Sequence, residues 1–519
     1  MRQQFGRGKN VHPLVAVLLT IHTCTPWFSA QAQQLDQFNT YVENAMADWH
    51  IPGLAMAVLK DGQVIHRRGY GLRDQRDMDQ VETQTLFAIA SNTKAFTAAA
   101  LGILVQEGKI AWDDPVLKYL PDFQLYDPVA TRKITIRHLL CHRSGLGLWA
   151  GDLTWWDSAY DRKEVIRRIR FLEPVKAFRS SYIYCNLMFL VAGEIIPSVT
   201  GSSWDAYIHE QLFDRLGMTR SNTSVTALAR VDNVATPHSL IDGKLIPIEY
   251  LNVDNCAPAA AVNSCVDDLI PWLRLHLDRG LYKGRRLIDT DIMNEMRKPH
   301  ILIPYSKRQQ TLNPASHLSA YALGLRVHDY QGRLIVNHTG GLDGMLSYIG
   351  FMPEEDLGII ILTNSDNHSA NGALAYQVFD TLLGIEGPDW SKRYLKAYQE
   401  NQRRQQERKQ EKRKARVRGT KPTHATSAYV GRYTDAVYGQ ACITEDNGKL
   451  KLKLLAHPKF TGTLSHWHYD TFVATWDHRL WQESLVSFKL DKHGAITQFV
   501  TSIRPDWIDT REYVFNSDP

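Results

Sequence analysis

The sequence predicts an α/β (α+β) domain followed by a small all-β domain, with a basic helical linker between the two. Three observations predict it. Strand-like runs such as 55–59 are interspersed with long helical stretches, 91–106 and 262–277, between residues 33 and 387. A run composed almost entirely of Gln, Glu, Lys and Arg follows Pro388, and short alternating segments punctuated by turn residues then continue to the end. The chain has 519 residues, 44% hydrophobic and 22% charged, so it has ample apolar surface for a core. Disorder as the main theme and a single small binding module are both excluded.

Residues 1–32 read as a secretory signal. Arg2, Arg7 and Lys9 precede the apolar stretch 14–21, and Ala30-Gln31-Ala32 supplies a small-x-small cleavage pattern. The apolar run is far shorter than the ~18 residues a spanning helix needs, and no later run reaches that length, so the expectation is a periplasmic or secreted protein with no transmembrane segment. Cys24 follows Ile21-His22-Thr23, where the bulky histidine makes a poor lipoprotein signal, so release is favoured over a lipid anchor. The formal charge of +5 includes the three bases of this segment; without them 57 basic residues face 55 acidic ones, a net of +2.

Residues 33–387 form the mixed domain. It is followed by the linker, 388–424, in which residues 391–421 carry 13 basic and 3 acidic side chains. Good helix formers dominate it and Gly419 and Pro422 end it, which predicts a solvated helix. Secretion and the absence of interleaved aromatics argue against a nucleic-acid arm and favour an anionic cell-wall or envelope polymer as partner. Residues 425–519 read as a small β domain: segments 429–433, 438–444, 449–454, 471–476, 484–490 and 496–503 alternate, with turns at Asp446-Asn447-Gly448 and Asp491-Lys492-His493-Gly494. Five cysteines lie beyond the signal, so at least one stays unpaired, and no CxxC spacing supports zinc. Cys256 and Cys265 could pair in an oxidising compartment or stand as two buried thiols. The run His466-Trp467-His468-Tyr469-Asp470 would place two histidines and an aspartate on one strand face, but a polar strand face explains it better than a metal site.

Three stretches carry chemistry. Ser91-Asn92-Thr93-Lys94 opens an alanine-rich helix, and a lysine one turn after a serine shares its helix face, within reach of the hydroxyl. The helix N-terminus adds N–H groups that favour an oxyanion. Taken alone, the same residues also describe a capping serine and a surface lysine. Tyr184-Cys185-Asn186 precedes the helical stretch 187–196 and projects a phenol and an amide to one side; a buried hydroxyl with an amide partner is the plainer reading. His338-Thr339-Gly340-Gly341 follows the apolar run Leu334-Ile335-Val336, and its glycines let a ligand approach the backbone closely.

In this order and at these separations, the three stretches resemble the serine β-lactamase and penicillin-binding-protein superfamily, in particular its class C-like branch of esterases and D-amino-acid peptidases. His138-Leu139-Leu140, Ser144-Gly145-Leu146, Leu216-Gly217-Met218-Thr219 and Tyr321-Ala322-Leu323-Gly324-Leu325 also look like that family, and the resemblance covers about 35–385. It implies a β-lactamase/DD-peptidase-like fold, an antiparallel sheet flanked by helices with a helical subdomain. It makes Ser91 the acylated nucleophile and Lys94 with Tyr184 the proton-transfer pair, without deciding which takes the proton first. The backbone N–H groups of Ser91 and Gly341 become the oxyanion hole. Asn186, His338, Thr339 and Gly340 become substrate-binding residues, Asn186 bonding either the substrate amide or the lysine. No metal and no cofactor is implied.

His338 stands where many β-lactamases carry lysine, so a neutral imidazole weakens the expected grip on a β-lactam carboxylate. Pro258-Ala259-Ala260-Ala261 replaces a glycine pair. The β domain resembles the lipocalin-like barrel appended to such hydrolases. The sequence therefore leads to a secreted serine hydrolase acting through an acyl-enzyme on peptide or ester substrates; a class C-like β-lactamase and a non-catalytic envelope-binding homologue are the alternatives.

Overall fold

The computed structural model describes residues 25–366, 368–478, 480–481, 483–505 and 507–518. The secretory-signal reading therefore falls largely outside the described residues. Helix α1 (Thr25–Trp49) supplies the described part of an N-terminal unit ending at Asn44; the rest of the chain is one larger unit from Ala45. Among the described residues no single helix is long and apolar enough to cross a membrane.

The larger unit is built on one antiparallel sheet. Its strands are β1 (Gly53–Lys60), β2 (Gln63–Gly71), β3 (Ile301–Leu302), β4 (Ser319–Tyr321), β5 (Arg326–Tyr330), β6 (Arg333–Leu342), β7 (Met345–Met352) and β8 (Leu357–Thr363), in the spatial order β2-β1-β8-β7-β6-β5-β4-β3. The first strand thus pairs with the last, Leu54 opposite Thr363. Every residue of β8 and nearly every residue of β1 is buried, because helices cover both faces of the sheet centre. Close packing is visible at Gly358 of β8, where a Cβ would lie 2.8 Å from the side chain of Leu273 on the helix Val266–Leu277.

Helix α2 (Thr93–Gln106) is largely apolar and buried from Thr93 to Leu104, as befits the central helix of a large core, with Lys94 its one buried charged side chain. Phe96 stacks on Trp272 at 3.9 Å. A second buried helix, α3 (Asn186–Thr200), packs beside it, and Gly193 admits Pro258 of the short helix Ala257–Ala260. The helix expected over 262–277 starts later, at Val266. Asn263 and Ser264 instead pair as strand with Ala88 and Phe87, a contact that local periodicity does not reveal. The five described cysteines are all free thiols.

Helix α4 (Ala370–Leu383) and helix α5 (Trp390–Lys414) follow the sheet. The expectation of a solvated linker helix needs correction at its first turns. Trp390 is buried, stacks on Tyr376 at 4.8 Å and donates its indole N–H to Asp380 (2.6 Å), so α5 is anchored in the core by its first residues, Trp390 and Ser391, while Lys392 is already exposed.

The C-terminal strands are β9 (Gly431–Asp435), β10 (Gly439–Asp446), β11 (Lys449–Leu454), β12 (Thr461–His468), β13 (Thr471–Trp476), β14 (Ser484–Leu490), β15 (Ile496–Thr501) and β16 (Tyr513–Ser517). They form a closed barrel. Leu450, Leu452 and Leu454 face its interior while Lys449, Lys451 and Lys453 face out, the period-two alternation of a sheet with one wet face. The closing strand β16, which the sequence reading left out, pairs Ser517 with Tyr433. Asp470 is not on the strand face with His466 and His468: β12 is bulged and ends at His468, and the Asp470 carboxylate turns back to accept from Thr423 and Tyr429. The barrel sits against the mixed domain, with Ala159 N–H bonded to the Ala456 carbonyl (2.8 Å) and His457 Nδ1 bonded to the Trp156 carbonyl (3.1 Å).

Candidate active site

The chain reaches Ser91 through a tight 3-10 turn, Ala90–Asn92, in which Ala90 takes the left-handed conformation, φ 49°. Two bonds hold that turn against β7: Asn92 donates to Ser347 Oγ (2.8 Å), and Ser347 donates to the Ile89 carbonyl (2.7 Å). On its other side, β6 approaches so closely that a Cβ on Gly340 would lie 2.0 Å from the Ile89 oxygen. Gly324 likewise lets its loop touch the backbone of Lys94, which accounts for the glycine in Tyr321-Ala322-Leu323-Gly324-Leu325.

Lys94 is fully buried. Its Nζ lies 3.0 Å from Ser91 Oγ, 2.7 Å from Asn186 Oδ1 and 2.9 Å from the Ala259 carbonyl. Burial lowers its pKa to about 7. Tyr184 approaches from the far side and donates its hydroxyl to Ser91 Oγ at 2.8 Å, with its ring 4.9 Å from Nζ. Burial holds the phenol well above its usual pKa, so it stands protonated at neutral pH. The expected nucleophile, lysine and tyrosine are thus brought to one point.

Asn186 spends both ends of its amide inside the protein. Its oxygen accepts from Lys94 and its nitrogen donates to Asp152 (2.6 Å), which also accepts from the Trp155 indole (2.9 Å). Of the two expectations for Asn186, contact with the lysine is the one the geometry shows. His338 also differs from a substrate clamp. Its Nδ1 bonds the Thr339 carbonyl (2.6 Å), so that nitrogen carries the proton and Nε2 accepts from Tyr321 (2.8 Å). Burial lowers its pKa to about 3, and the ring is a neutral brace. Thr339 is exposed, and it lines the cleft together with His338, Gly340 and Gly341.

That cleft has a volume of about 640 Å³. One wall is the edge of β6, which pairs with β7 through Leu342 but with β5 only through Asn337, so residues 338–342 have one strand edge open. Several lining residues were not anticipated. Arg326 on β5 forms no ion pair among the described residues. Asn371 on α4 is buried with neither amide atom partnered, and Asn337 has an unpartnered side-chain oxygen. Tyr394 comes from α5 and Trp507 from the barrel. His142 supports the site from behind, accepting the Cys185 N–H (3.1 Å) with its ring 4.3 Å from that of Tyr184. Its position beside Ser144-Gly145-Leu146 was the one signal available. Among the described residues no group of three or more His, Cys, Asp or Glu could hold a metal ion.

The family model described as Beta-lactamase matches residues 38–383, and one described as a domain of unknown function, DUF3471, matches 415–515. Unguisins hydrolase ungD' of Aspergillus campestris is 30% identical over 443 residues, covering 79% of this chain and 78% of its own. Protein flp of Staphylococcus aureus is 28% identical over 338 residues, 63% of this chain and 62% of its own. The octameric penicillin-binding protein homologue from Pyrococcus abyssi shares the fold with a TM-score of 0.62 at 22% identity, over 93% of this chain and 99% of that one. A D-stereospecific amidohydrolase from Streptomyces sp. superposes over 63% of this chain and 94% of its own, with a TM-score of 0.52 at 23% identity.

Proposed function

The chain belongs to the Beta-lactamase family, and from that premise we propose that it is a serine hydrolase that cleaves amide or ester bonds through an acyl-enzyme, of the D-amino-acid peptidase or esterase type. The observation that carries the reading is the pair of hydrogen bonds converging on Ser91 Oγ, from Lys94 at 3.0 Å and Tyr184 at 2.8 Å. Once Lys94 is neutral, Asn186 and the Ala259 carbonyl take its two N–H bonds and its lone pair is directed at Ser91. Lys94 is then the first base: it takes the hydroxyl proton as Oγ bonds to the substrate carbonyl carbon. The oxyanion forms at the N–H groups of Ser91 and Gly341. Tyr184 gives its proton to the departing nitrogen or oxygen as that bond breaks, and recovers one from Lys94. Water then attacks the acyl-enzyme by the reverse relay.

A substrate carboxylate suits the cleft, because Arg326 offers an unpaired cation and Asn371 two unpaired amide atoms. The four-residue step from Gly341 back to Asn337 spans roughly 13 Å, room for one or two residues between the scissile carbonyl and that carboxylate. This supports a leaving group that ends in a free carboxylate. Arg326 also supports β-lactam hydrolysis as the second reading, since it supplies the cation that His338 does not.

Intact-protein mass spectrometry tests both readings. Wild type is expected to gain one fluorophosphonate adduct, lost in Ser91→Ala; no adduct on wild type would overturn the hydrolase reading. A penicillin adduct that persists for hours supports the peptidase or esterase, and rapid turnover of penicillin supports the β-lactamase.

A further inference from the structure

We infer that the C-terminal barrel supplies one wall of the substrate site, and that Trp507 selects for flat apolar groups on the acyl side of the scissile bond. This rests on the hydrolase reading above. Trp507 belongs to the barrel yet lines the same cleft as Ser91. A Cβ built on Gly341 would lie 3.3 Å from Cη2 of its indole, so the ring stands directly over the backbone assigned to the oxyanion hole.

The ring is held from both sides of the cleft. Its Nε1 donates to Asp343 Oδ1 (3.1 Å) in the turn that joins β6 to β7, and Arg504 pairs with the same oxygen at 3.1 Å. Asp343 and Arg504 are nearly buried, their side chains 5% and 14% exposed, so this ion pair is a fixed anchor. Across the cleft, Asp509 accepts the Gly151 N–H (2.8 Å) and Thr510 donates to the Leu148 carbonyl (2.8 Å), on the loop that carries Asp152. The barrel segment therefore ties together the strand end bearing Gly341 and the loop whose Asp152 fixes Asn186.

Direction along the cleft gives the specificity. Arg326 pairs with Asn337, four residues before Gly341, whereas Trp507 stands at Gly341 itself beside Leu346 and near Leu148. A substrate whose carboxylate points to Arg326 directs its acyl group toward the indole. Flat apolar groups gain most from that contact.

The test compares p-nitrophenyl phenylacetate with p-nitrophenyl acetate, which share a leaving group and differ only in the acyl group. Wild type is expected to favour phenylacetate in kcat/KM. That preference should fall about tenfold in Trp507→Ala and be largely kept in Trp507→Phe. An unchanged ratio in Trp507→Ala, or a parallel fall for both esters, would overturn the proposal, because a merely structural tryptophan lowers both alike. If Trp507→Ala does not fold, Trp507→Leu, which keeps apolar bulk without the flat ring, carries the same expectation. A wild-type chain that takes no fluorophosphonate adduct fails the hydrolase reading instead, so the two failures are distinguishable.

Discussion

At Lys94 the cost of burying a charge is converted into basicity near neutral pH. With its pKa at about 7, the amine is neutral above that value and protonated below it, and only the neutral form can take the Ser91 proton. kcat/KM for a small ester is therefore expected to rise tenfold per pH unit below about 7 and to level off above it, a profile read from initial rates between pH 5 and 9. Lys94→Arg, charged at every pH, should lose at least a thousandfold without regaining activity at high pH. The same group affects stability with a defined sign. Between about 7 and the unfolded value near 10.4 the unfolded chain binds more protons than the folded one, so this lysine makes stability rise with pH in that window. Tyr184 makes a separable contribution, since its hydroxyl is held as a donor to Ser91. Tyr184→Phe should slow amide hydrolysis by ~10²–10⁴-fold and slow a p-nitrophenyl ester far less, because that leaving group departs without a proton. Equal losses on both substrates in steady-state assays would contradict the role in leaving-group protonation.

Among the elements, β6 is the strand on which the site depends, and its glycines are fixed by what passes beside them. A Cβ on Gly340 would meet the Ile89 oxygen at 2.0 Å and Ser347 Oγ at 2.3 Å, backbone and a hydrogen-bonded side chain that cannot simply turn away. Gly340→Ala is expected to cost at least the ~1–3 kcal/mol of an overpacked core and to slow fluorophosphonate labelling of Ser91, because the strand and the nucleophile turn must part. A melting curve and a labelling time course on the same sample check both effects. This dependence also explains which features could be read from the sequence. Ser91 and Lys94 were legible because one helical turn fixes their relation, and Tyr184 with Asn186 because two residues of extended chain do the same. The segment around Lys449–Leu454 was legible from its alternation alone. Arg326, Asn371 and Trp507 were not, because each joins the cleft only through sheet order, helix docking or barrel docking. The late start of the helix at Val266 was hidden for the same reason, since the Asn263–Ser264 strand exists only by pairing with residues some 175 positions earlier. Asn186 was read with Lys94 as one of its two alternative partners, and the structure shows that contact; its second partner, Asp152, and the Tyr321 partner of His338 were hidden because they come from other segments.

For the molecule as a whole, the question is how firmly the barrel is joined to the domain it walls. Asp509 stands at that junction, fully buried, accepting the Gly151 N–H on one side and the Tyr438 hydroxyl (2.5 Å) on the other. Burial raises its pKa to about 6; Tyr438, the Arg511 N–H and the Gly151 N–H oppose the shift without cancelling it. A carboxyl whose folded pKa exceeds its unfolded value near 3.9 is bound to its proton more tightly in the folded chain. Its contribution therefore favours folding most below pH 4 and is lost as pH rises to about 6, a change on the order of 2–3 kcal/mol, beyond which the buried charge is a constant penalty. Other titrating groups act over the same range, so the comparison is between wild type and Asp509→Asn in denaturant unfolding from pH 4 to 8. The variant is expected to gain on wild type between pH 4 and 6 and to keep a constant offset above that. A difference that stays flat across pH 4 to 6 would mean that Asp509 titrates as it does in the unfolded chain, and that the barrel closes over the site without burying a carboxyl at the junction.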